Sequence, residues 1–462
     1  MPLNGKKCCA YLRPSELNDA SKSGLVQRTL ARACDIQPEE TRATLASFLL
    51  VLMLMGAYYI LRPVRDALAS DWSDAEVSWL WTITFFLSTI AVSVYGGAVA
   101  RIRFQRLVPS VYGLFAASFI LFYVGEQVLQ EEVMLDKAFY LWISLFSLFH
   151  ISVFWSFMAE TFSRGQATRL FGFIGAGASV GAIIGPATAA LLVGDLGTDP
   201  LLLIAAAIVF LTLPLVRWLQ YLKISDLTSQ QGANDATGSA PIGGNPLAGF
   251  SAFVQSRYLL GIGLFIFFMT AISAFVYFAQ KNLLETYDME TRTQILAGID
   301  LAVNSLTILV AVFATGRMAS RLGLSFTLAS IPVLIGVMLL VLAAAPMVSV
   351  IVTMQIVRRA GDYAVSRPAR EVLFTAVDRE TRFKAKPVID IVIYRGGDML
   401  SAWAFTALTQ LLGLGLAAVA LVGAGIAAIW AVTGVYLGRR FVAMNPPGPH
   451  QGTAQASHKL NS

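Results

Sequence analysis

Charged residues are scarce in this chain. Only 13% of its 462 residues are Asp, Glu, Lys or Arg, whereas 56% are hydrophobic. Soluble domains carry about a quarter charged residues, so a water-soluble protein of this composition would have too little polar surface. The composition therefore excludes an ordinary soluble protein.

Cysteine and histidine are equally scarce, and this bears on catalysis. The three cysteines, Cys8, Cys9 and Cys34, precede the first long apolar run, so no disulfide framework is possible in the apolar part of the chain. Two of the three histidines, His450 and His458, lie in a polar C-terminal stretch, and no HExxH motif occurs. Because an enzyme site needs a nucleophile, a base or a metal at a fixed spacing, the sequence predicts no enzyme, no cofactor and no metal.

Long apolar runs are what the chain has in abundance. A transmembrane helix needs about 20 apolar residues to cross about 30 Å of hydrocarbon, and such runs recur over most of the chain. They predict an all-α integral membrane protein with about twelve transmembrane helices, at residues 43–68, 77–99, 107–125, 138–160, 170–193, 200–219, 258–281, 294–315, 324–344, 347–366, 386–411 and 417–438.

The predicted spans fall into two groups of six, separated by a stretch rich in Ser, Gly, Asn and Thr that is typical of a flexible linker. We expect an N-terminal tail (1–42), an N-terminal six-helix bundle (43–224), a linker (225–257), a C-terminal six-helix bundle (258–440) and a C-terminal tail (441–462). The two halves resemble each other weakly, and Gly316–Gly323 resembles the cytoplasmic loop motif of the major facilitator superfamily. Two pseudo-symmetric halves around a central site are the major facilitator arrangement.

The basic residues of the short loops fall on one side of the membrane if the spans alternate. They follow the even-numbered spans, among them Arg103, Arg164, Arg321, Arg379 and Arg439, whereas the opposite loops are acidic or neutral. By the positive-inside rule, we expect a multi-pass membrane protein with both termini in the cytoplasm. The net charge of +6 is thus a topology signal, and the sequence predicts no nucleic-acid partner because no basic face repeats on an exposed helix.

Ionisable residues inside the spans are the candidate functional residues, because a charge in hydrocarbon costs about 2.5–3.5 kcal/mol on insertion scales. The candidate anion contacts are Arg62, Arg65, Arg358, Arg359 and Arg395. The candidate supporting charges are Asp66, Asp362, Asp390, Asp398 and Lys281. A guanidinium fork binds phosphate or carboxylate in two-point geometry, so the excess of basic residues predicts a small anionic substrate.

These charges also have structural interpretations. Arg395 with Asp398 is the pattern of an ion pair that locks the bundle, as are the arginines of span 10 with the aspartate that follows them. Arg62 has the alternatives of pairing with Asp66 or reaching the outer interface. By the 1.5 Å rise per residue, the span-11 charges lie near the midplane and those of span 1 near the outer edge. Pro63 is expected to kink or end the first helix.

Span 5 is rich in glycine, and span 8 carries two polar residues in its predicted outer half, Asp300 and Asn304. The glycines are Gly172, Gly175, Gly177, Gly181 and Gly185. Small residues let membrane helices approach closely, so these glycines predict tight packing. They do not fit a nucleotide-binding glycine loop, because they lie inside an apolar span and not between a strand and a helix.

Several stretches of the chain resemble the bacterial and plastid ATP/ADP translocase family. Tyr59–Asp66 is similar to the Ile-Leu-Arg-x-x-Lys-Asp of that family's first span. Further resemblance lies in Phe154–Ser156, Gln166–Gly172, Asp378–Lys386 and Tyr394–Asp398. The resemblance therefore covers most of the chain, and it implies a major facilitator-like fold and an anionic, phosphorylated substrate.

The leading hypothesis is an antiporter that exchanges ATP for ADP by alternating access of two halves around a basic cavity. Arg65 stands where the family has a lysine implicated in holding the nucleotide phosphates. The candidates for stacking on the base are Tyr58, Tyr59, Trp155 and Tyr394. The alternative is a major facilitator-type carrier of another organic or phosphorylated anion, with or without proton coupling through His150 or Glu160. In either case the expected partners are the lipid bilayer and a small anionic molecule.

Overall fold

The computed structural model describes residues 37–101, 104–129, 133–223, 248–310, 322–377, 385 and 388–444, and these residues contain helices and no strand. We number the longer helices in chain order: α1 (Thr41–Leu68), α2 (Asp74–Arg101), α3 (Phe104–Leu129), α4 (Val133–Thr161), α5 (Arg164–Leu196), α6 (Asp199–Leu222), α7 (Ala248–Gln255), α8 (Arg257–Leu284), α9 (Met289–Val310), α10 (Gly323–Ala344), α11 (Val348–Gly361), α12 (Arg367–Leu373), α13 (Tyr394–Thr406) and α14 (Leu416–Met444).

The helices confirm the predicted membrane fold. In the described part of the chain, nine helices are long and apolar enough to cross a membrane by length and composition. The other three predicted spans correspond to α2, to α11 continued by α12, and to α13. Segments of π-helix, Asp362–Ser366 between α11 and α12 and Val388–Ile393 before α13, interrupt the regular geometry of the last two.

The cores lie inside two bundles. One cluster of buried side chains comes almost wholly from α1 to α6, and a second comes from α7 to α14. A smaller cluster joins the bundles and includes Trp72, Phe278 and Phe405. The chain therefore forms two packed halves with a seam between them.

The first helix does not end at its proline. Pro63 lies inside α1, which continues to Leu68. Pro63 is buried, and membrane helices tolerate proline because neighbouring helices and local adjustments satisfy the freed backbone groups. Of the two expected outcomes, a kink or an end, the structure excludes the end, and α1 carries the charged residues Arg62, Arg65 and Asp66 on one continuous helix.

The glycines of α5 explain its close packing on α1. A Cβ added at Gly177, Gly181 or Gly185 would collide with the backbone carbonyl of Phe48, Leu52 or Gly56, respectively. The glycines and the α1 residues both recur every four positions, so one face of α5 follows one face of α1 at backbone contact. The predicted tight packing is confirmed for these three glycines; at Gly172 an added Cβ would meet nothing within 4 Å.

Polar contacts between the halves concentrate at one end of the bundle. We call this end, where α1 ends and α2 begins, the far face, and the opposite end, where α1 begins and α14 ends, the terminal face. The far-face contacts are Arg292 with Asp71, Lys281 with Asp74 at 3.3 Å, Thr409 with Asp74 at 2.8 Å, and Ser78 with Thr406 at 2.8 Å. The described helices thus close the seam at the far face.

Candidate functional site

A central cavity of about 260 Å³ lies in the seam between the halves. Helices α1, α2 and α4 line it on one side, and α8, α9, α11 and α13 line it on the other. Its ionisable residues other than tyrosine are Arg62, Arg65, Asp66, Asp300, Arg358, Arg359, Arg395 and Asp398. Five arginines face three aspartates, so the described walls carry a formal excess of two positive charges.

The structure brings together all five arginines that the sequence nominated. Arg62 and Arg65 come from α1, Arg358 and Arg359 from the end of α11, and Arg395 from the start of α13. The α1 arginines, expected near the outer edge, share the cavity with the central ones, because the cavity reaches the last third of α1. Their predicted depth had also allowed a position at the outer interface.

Asp300 connects the two halves at the centre of the site. Its carboxylate lies 3.5 Å from Arg62 Nη1 and 2.5 Å from Arg359 Nη1. Only 2% of Asp300 and 6% of Arg359 are exposed. Arg62 belongs to the N-terminal half, whereas Asp300 and Arg359 belong to the C-terminal half, so this carboxylate bridges arginines of both halves.

Arg65 is held by its neighbour on α1. Its Nη2 donates to Asp66 Oδ1 at 2.6 Å, and its Nη1 lies 3.4 Å from Ser144 Oγ on α4. Its guanidinium also lies 5.3 Å from the centre of the Tyr140 ring, within cation–π distance. Arg62 lies 3.6 Å from the other oxygen of Asp66, so the pairing with Asp66 that was considered for Arg62 is present beside the Asp300 contact.

Arg358 differs from the other cavity arginines in its partners. Its Nε and Nη2 donate to Gln355 Oε1 at 3.0 and 2.6 Å, and its Nη1 donates to Ser273 Oγ at 2.9 Å. Gln355 in turn donates to Gln280 Oε1 at 2.8 Å. Among the described residues no carboxylate forms an ion pair with Arg358, so its direct hydrogen-bond partners are neutral groups.

Arg395 and Asp398 form a loose pair on α13. Their closest side-chain atoms are 4.0 Å apart, and about a third of the Arg395 side chain is exposed. The ion pair expected from the sequence is therefore present, but its length and exposure leave the guanidinium open to the cavity.

The structure corrects two of the nominated supporting charges. Asp362 pairs with Arg367 at 3.0 Å, and among the described residues it forms no ion pair with the α11 arginines. Lys281 lies outside the cavity lining and donates to the Trp72 carbonyl oxygen and to Asp74, which makes it part of the far-face closure. The side chain of Asp390 lies outside the described residues.

The nominated aromatic residues divide into two groups. Tyr58 and Tyr394 line the cavity. Tyr59 is buried beside Arg62, and Trp155 packs against Phe171 in the N-terminal bundle; neither lines the cavity. The cavity has four further aromatic residues that the sequence did not single out: Trp81, Phe85, Tyr140 and Tyr277.

Neither residue proposed for proton coupling lines the cavity. His150 is buried, with Nδ1 2.9 Å from the Phe146 carbonyl oxygen and its ring stacked on Tyr58. Glu160 pairs with Lys223 at 3.1 Å at the terminal face. His150 therefore supports Tyr58 from behind the cavity wall.

Asp300 and Gln355 are among the polar site residues that sequence reasoning did not nominate. Asp300 carried the same signal as the nominated charges, an ionisable group inside a span. Its partners Arg62 and Arg359, however, are 238 and 59 positions away in the chain, so no sequence pattern indicated the contacts. Gln355 is neutral and carried no comparable signal. The stretch Asp378–Lys386, which resembles the translocase family, falls almost entirely outside the described residues.

Comparison with known proteins identifies the fold. A model of the Major Facilitator Superfamily matches residues 47–361. A comparison with curated proteins finds no match. The chain shares its fold with a bacterial homologue of the iron transporter ferroportin in an inward-facing state, at 12% identity and a TM-score of 0.64, with 87% of this chain and 98% of that chain covered.

Two other structures resemble the chain in the same way. One is a bacterial homologue of the human lysosomal transporter Spinster, inward-facing and unoccupied, at 13% identity and a TM-score of 0.58, covering 89% of this chain and 99% of that chain. The other is the nucleoside transporter NupG, at 15% identity and a TM-score of 0.56, covering 89% of this chain and 100% of that chain. At these identities the likeness establishes the fold alone.

Proposed function

This chain belongs to the Major Facilitator Superfamily and is a secondary transporter of that type, and on that premise we propose that it exchanges nucleotides, in the manner of ATP/ADP antiport. The observation that carries the proposal is the cavity between the halves, where five arginines face three aspartates. Burying unpaired positive charge is costly, so an anion that neutralises this excess would bind favourably there.

The geometry of the arginines supports a phosphorylated substrate. Arg62 and Arg65 approach from one half, and Arg358, Arg359 and Arg395 approach from the other. Guanidinium groups bind phosphate oxygens through two parallel hydrogen bonds, and a chain of phosphates offers enough oxygens to engage both halves together. A single carboxylate has two oxygens and satisfies fewer of the N–H donors of the five arginines.

The aromatic wall supports a base at the other end of the substrate. Tyr58, Trp81, Phe85 and Tyr140 belong to one half, and Tyr277 and Tyr394 belong to the other. Stacking on an aromatic side chain contributes about 1–3 kcal/mol per base in single-stranded nucleic-acid complexes. A nucleotide site needs positive charge to bind the phosphates and aromatic rings to stack on the base, and this cavity has both.

Closure at the far face supports alternating access. We propose that the terminal face is cytoplasmic, since the basic loops lie on that side, and that the protein resides in the bacterial inner membrane. In the observed conformation the far-face contacts seal the periplasmic end. Transport would then require these contacts to separate as the halves rock around the bound substrate.

A second candidate is a carrier of another organic or phosphorylated anion. The observation that favours it is Arg65, which stands where the resembling family has a lysine. Arginine and lysine differ in hydration and hydrogen-bond geometry, so this change alters how the site binds phosphate groups. The arginine cluster would serve such an anion equally well.

Reconstituted protein tests the proposal. We expect labelled ATP to enter liposomes only when ADP is loaded inside, and an uncoupler to leave this uptake unchanged. The double variant Arg65→Gln with Arg395→Gln should abolish uptake, whereas Arg440→Gln, at the end of α14 and outside the cavity, should not. Uptake that is independent of internal nucleotide, or intact in the double variant, would contradict nucleotide exchange.

A further inference from the structure

The carboxylate of Asp300 occupies the position where an anion would meet both halves. It contacts Arg62 of the N-terminal half and Arg359 of the C-terminal half, at 3.5 and 2.5 Å. Among the described residues, the remaining inter-half polar contacts join neutral groups or lie at the far face. Asp300 is thus a carboxylate inside the cavity that holds arginines of both halves at once.

The arginines that Asp300 engages have spare donors. Nε and Nη2 of Arg359 and Nε of Arg62 are buried, and they have no hydrogen-bond partner in the part of the chain that the structure describes. A buried N–H without a partner costs about 1–3 kcal/mol, and an arginine has five N–H donors arranged to bind an oxyanion. One carboxylate leaves this set incompletely satisfied, and a phosphate group with three oxygens satisfies more of it.

Arg62 has a second carboxylate nearby, and Arg359 does not among the described residues. Arg62 also lies 3.6 Å from Asp66, whereas Asp300 is the carboxylate within ion-pair distance of Arg359 among the described residues. Withdrawal of Asp300 therefore leaves Arg359 with its charge exposed to the cavity. An incoming anion gains most at that position.

We propose that Asp300 is an internal counter-anion that competes with the substrate for Arg62 and Arg359. This inference rests on the proposed function in one respect, that the cargo is an anion. When the cavity is empty, Asp300 neutralises the two arginines and ties the halves together across the seam. When the substrate binds, its phosphate takes the arginines and Asp300 is released; when Asp300 returns, it displaces the substrate.

If Asp300 competes with the substrate, its replacement has an effect that a purely structural role would not produce. Removal of the charge should tighten substrate binding, because the competitor is gone, and should slow transport, because nothing displaces the bound substrate. We expect Asp300→Asn to lower the Kd for ATP by about tenfold, within the range measured for close charge pairs at interfaces, and to reduce ATP/ADP exchange at least as much. Asp300→Glu, which keeps the carboxylate, should restore exchange.

Two further variants separate competition from general charge and from misfolding. Asp66→Asn removes the same charge from the same cavity, but from arginines of one helix only; an equal loss of exchange in this variant would overturn the bridging role. The double variant Asp300→Asn with Arg359→Gln removes both members of the ion pair. It should fold, and it should lose the gain in ATP affinity expected for Asp300→Asn alone. The difference between its effect and the sum of the two single effects measures the interaction between the two residues.

Titration of the purified protein distinguishes this inference from the proposed function. Wild-type protein that binds ATP, together with an Asp300→Asn variant that binds it equally or more weakly, would overturn the inference and leave nucleotide exchange standing. Absence of ATP binding in both proteins would overturn nucleotide exchange. In that case inorganic pyrophosphate is the probe, and tighter binding by Asp300→Asn than by wild type supports the competition, whereas equal or weaker binding overturns it.

Discussion

At the scale of single residues, the distinguishing feature of the cavity is that Arg358 is oriented by neutral hydrogen-bond partners. Gln355 accepts two of its N–H groups, and Gln280 fixes Gln355. A carboxylate at position 355 would offer the same geometry with a full charge. The amide therefore keeps the arginine available for an anion from solution.

This arrangement predicts the effect of Gln355→Glu. The new carboxylate should pair with Arg358 and lower the affinity for ATP about tenfold, as expected for a close charge pair. The melting temperature should not fall, because the amide of Gln280 can turn to donate to the carboxylate. Binding and melting curves of the same preparation check both expectations.

A matched control adds the same charge elsewhere. Gln220 lies at the terminal face, where it donates to the Gln105 carbonyl oxygen. Gln220→Glu should leave ATP binding unchanged. Equal loss of binding in both variants, or unchanged binding in Gln355→Glu, would show that Arg358 is not the anion contact.

The sequence could identify the arginines and their partners on the same helix, Asp66 for Arg62 and Asp398 for Arg395, but not their partners on other helices. A charge inside an apolar span is visible in one sequence because its insertion cost is high, and all five nominated arginines line the cavity. The partners depend on which helices meet. Asp362 was expected to hold the α11 arginines and pairs with Arg367, while the neutral group that orients Arg358, Gln355, has no signature of its own.

At the scale of helices, the contact between α5 and α1 depends on the absence of side chains. Gly181 faces the Leu52 carbonyl oxygen so closely that a Cβ has no space. We expect Gly181→Ala to destabilise the protein by about 1–3 kcal/mol, the usual cost of overpacking, measured as a lower melting temperature in detergent.

Gly172 on the same helix provides the control. An added Cβ there meets nothing within 4 Å, and alanine is favoured over glycine in a helix by about 1 kcal/mol. Gly172→Ala should therefore leave the melting temperature unchanged or raise it. A melting temperature of Gly181→Ala equal to that of wild type would contradict backbone contact between α5 and α1.

Helices were predictable from apolar run length, and their interruptions were not. Each of the twelve predicted spans corresponds to a described helix or to an interrupted one. The π-helical segments beside α11 and α13 depend on side-chain packing that a hydropathy pattern does not contain. Pro63 was a local signal that the tertiary structure overrides, because the neighbours of α1 hold the helix together.

At the scale of the whole molecule, the two-half architecture follows from the sequence and the conformation does not. Six spans, a polar linker and six more spans predict two bundles, and the buried clusters of the two halves confirm them. Closure at the far face depends on inter-half pairs such as Lys281 with Asp74. Under the proposed alternating access, these pairs separate during transport, and the sequence does not specify in which conformation they are formed.

The central claim is that the cavity recognises phosphate through its arginines, and one titration tests it most directly. Calorimetry of the purified protein with ATP, ADP and adenosine compares substrates that share a base and differ in phosphate. We expect ATP and ADP to bind and adenosine to bind at least tenfold more weakly, since adenosine offers the arginines no charge. Arg358→Gln should weaken ATP binding, and Arg440→Gln should not. Adenosine binding as tight as ATP binding, unaffected by Arg358→Gln, would contradict the account and indicate a carrier of neutral substrates.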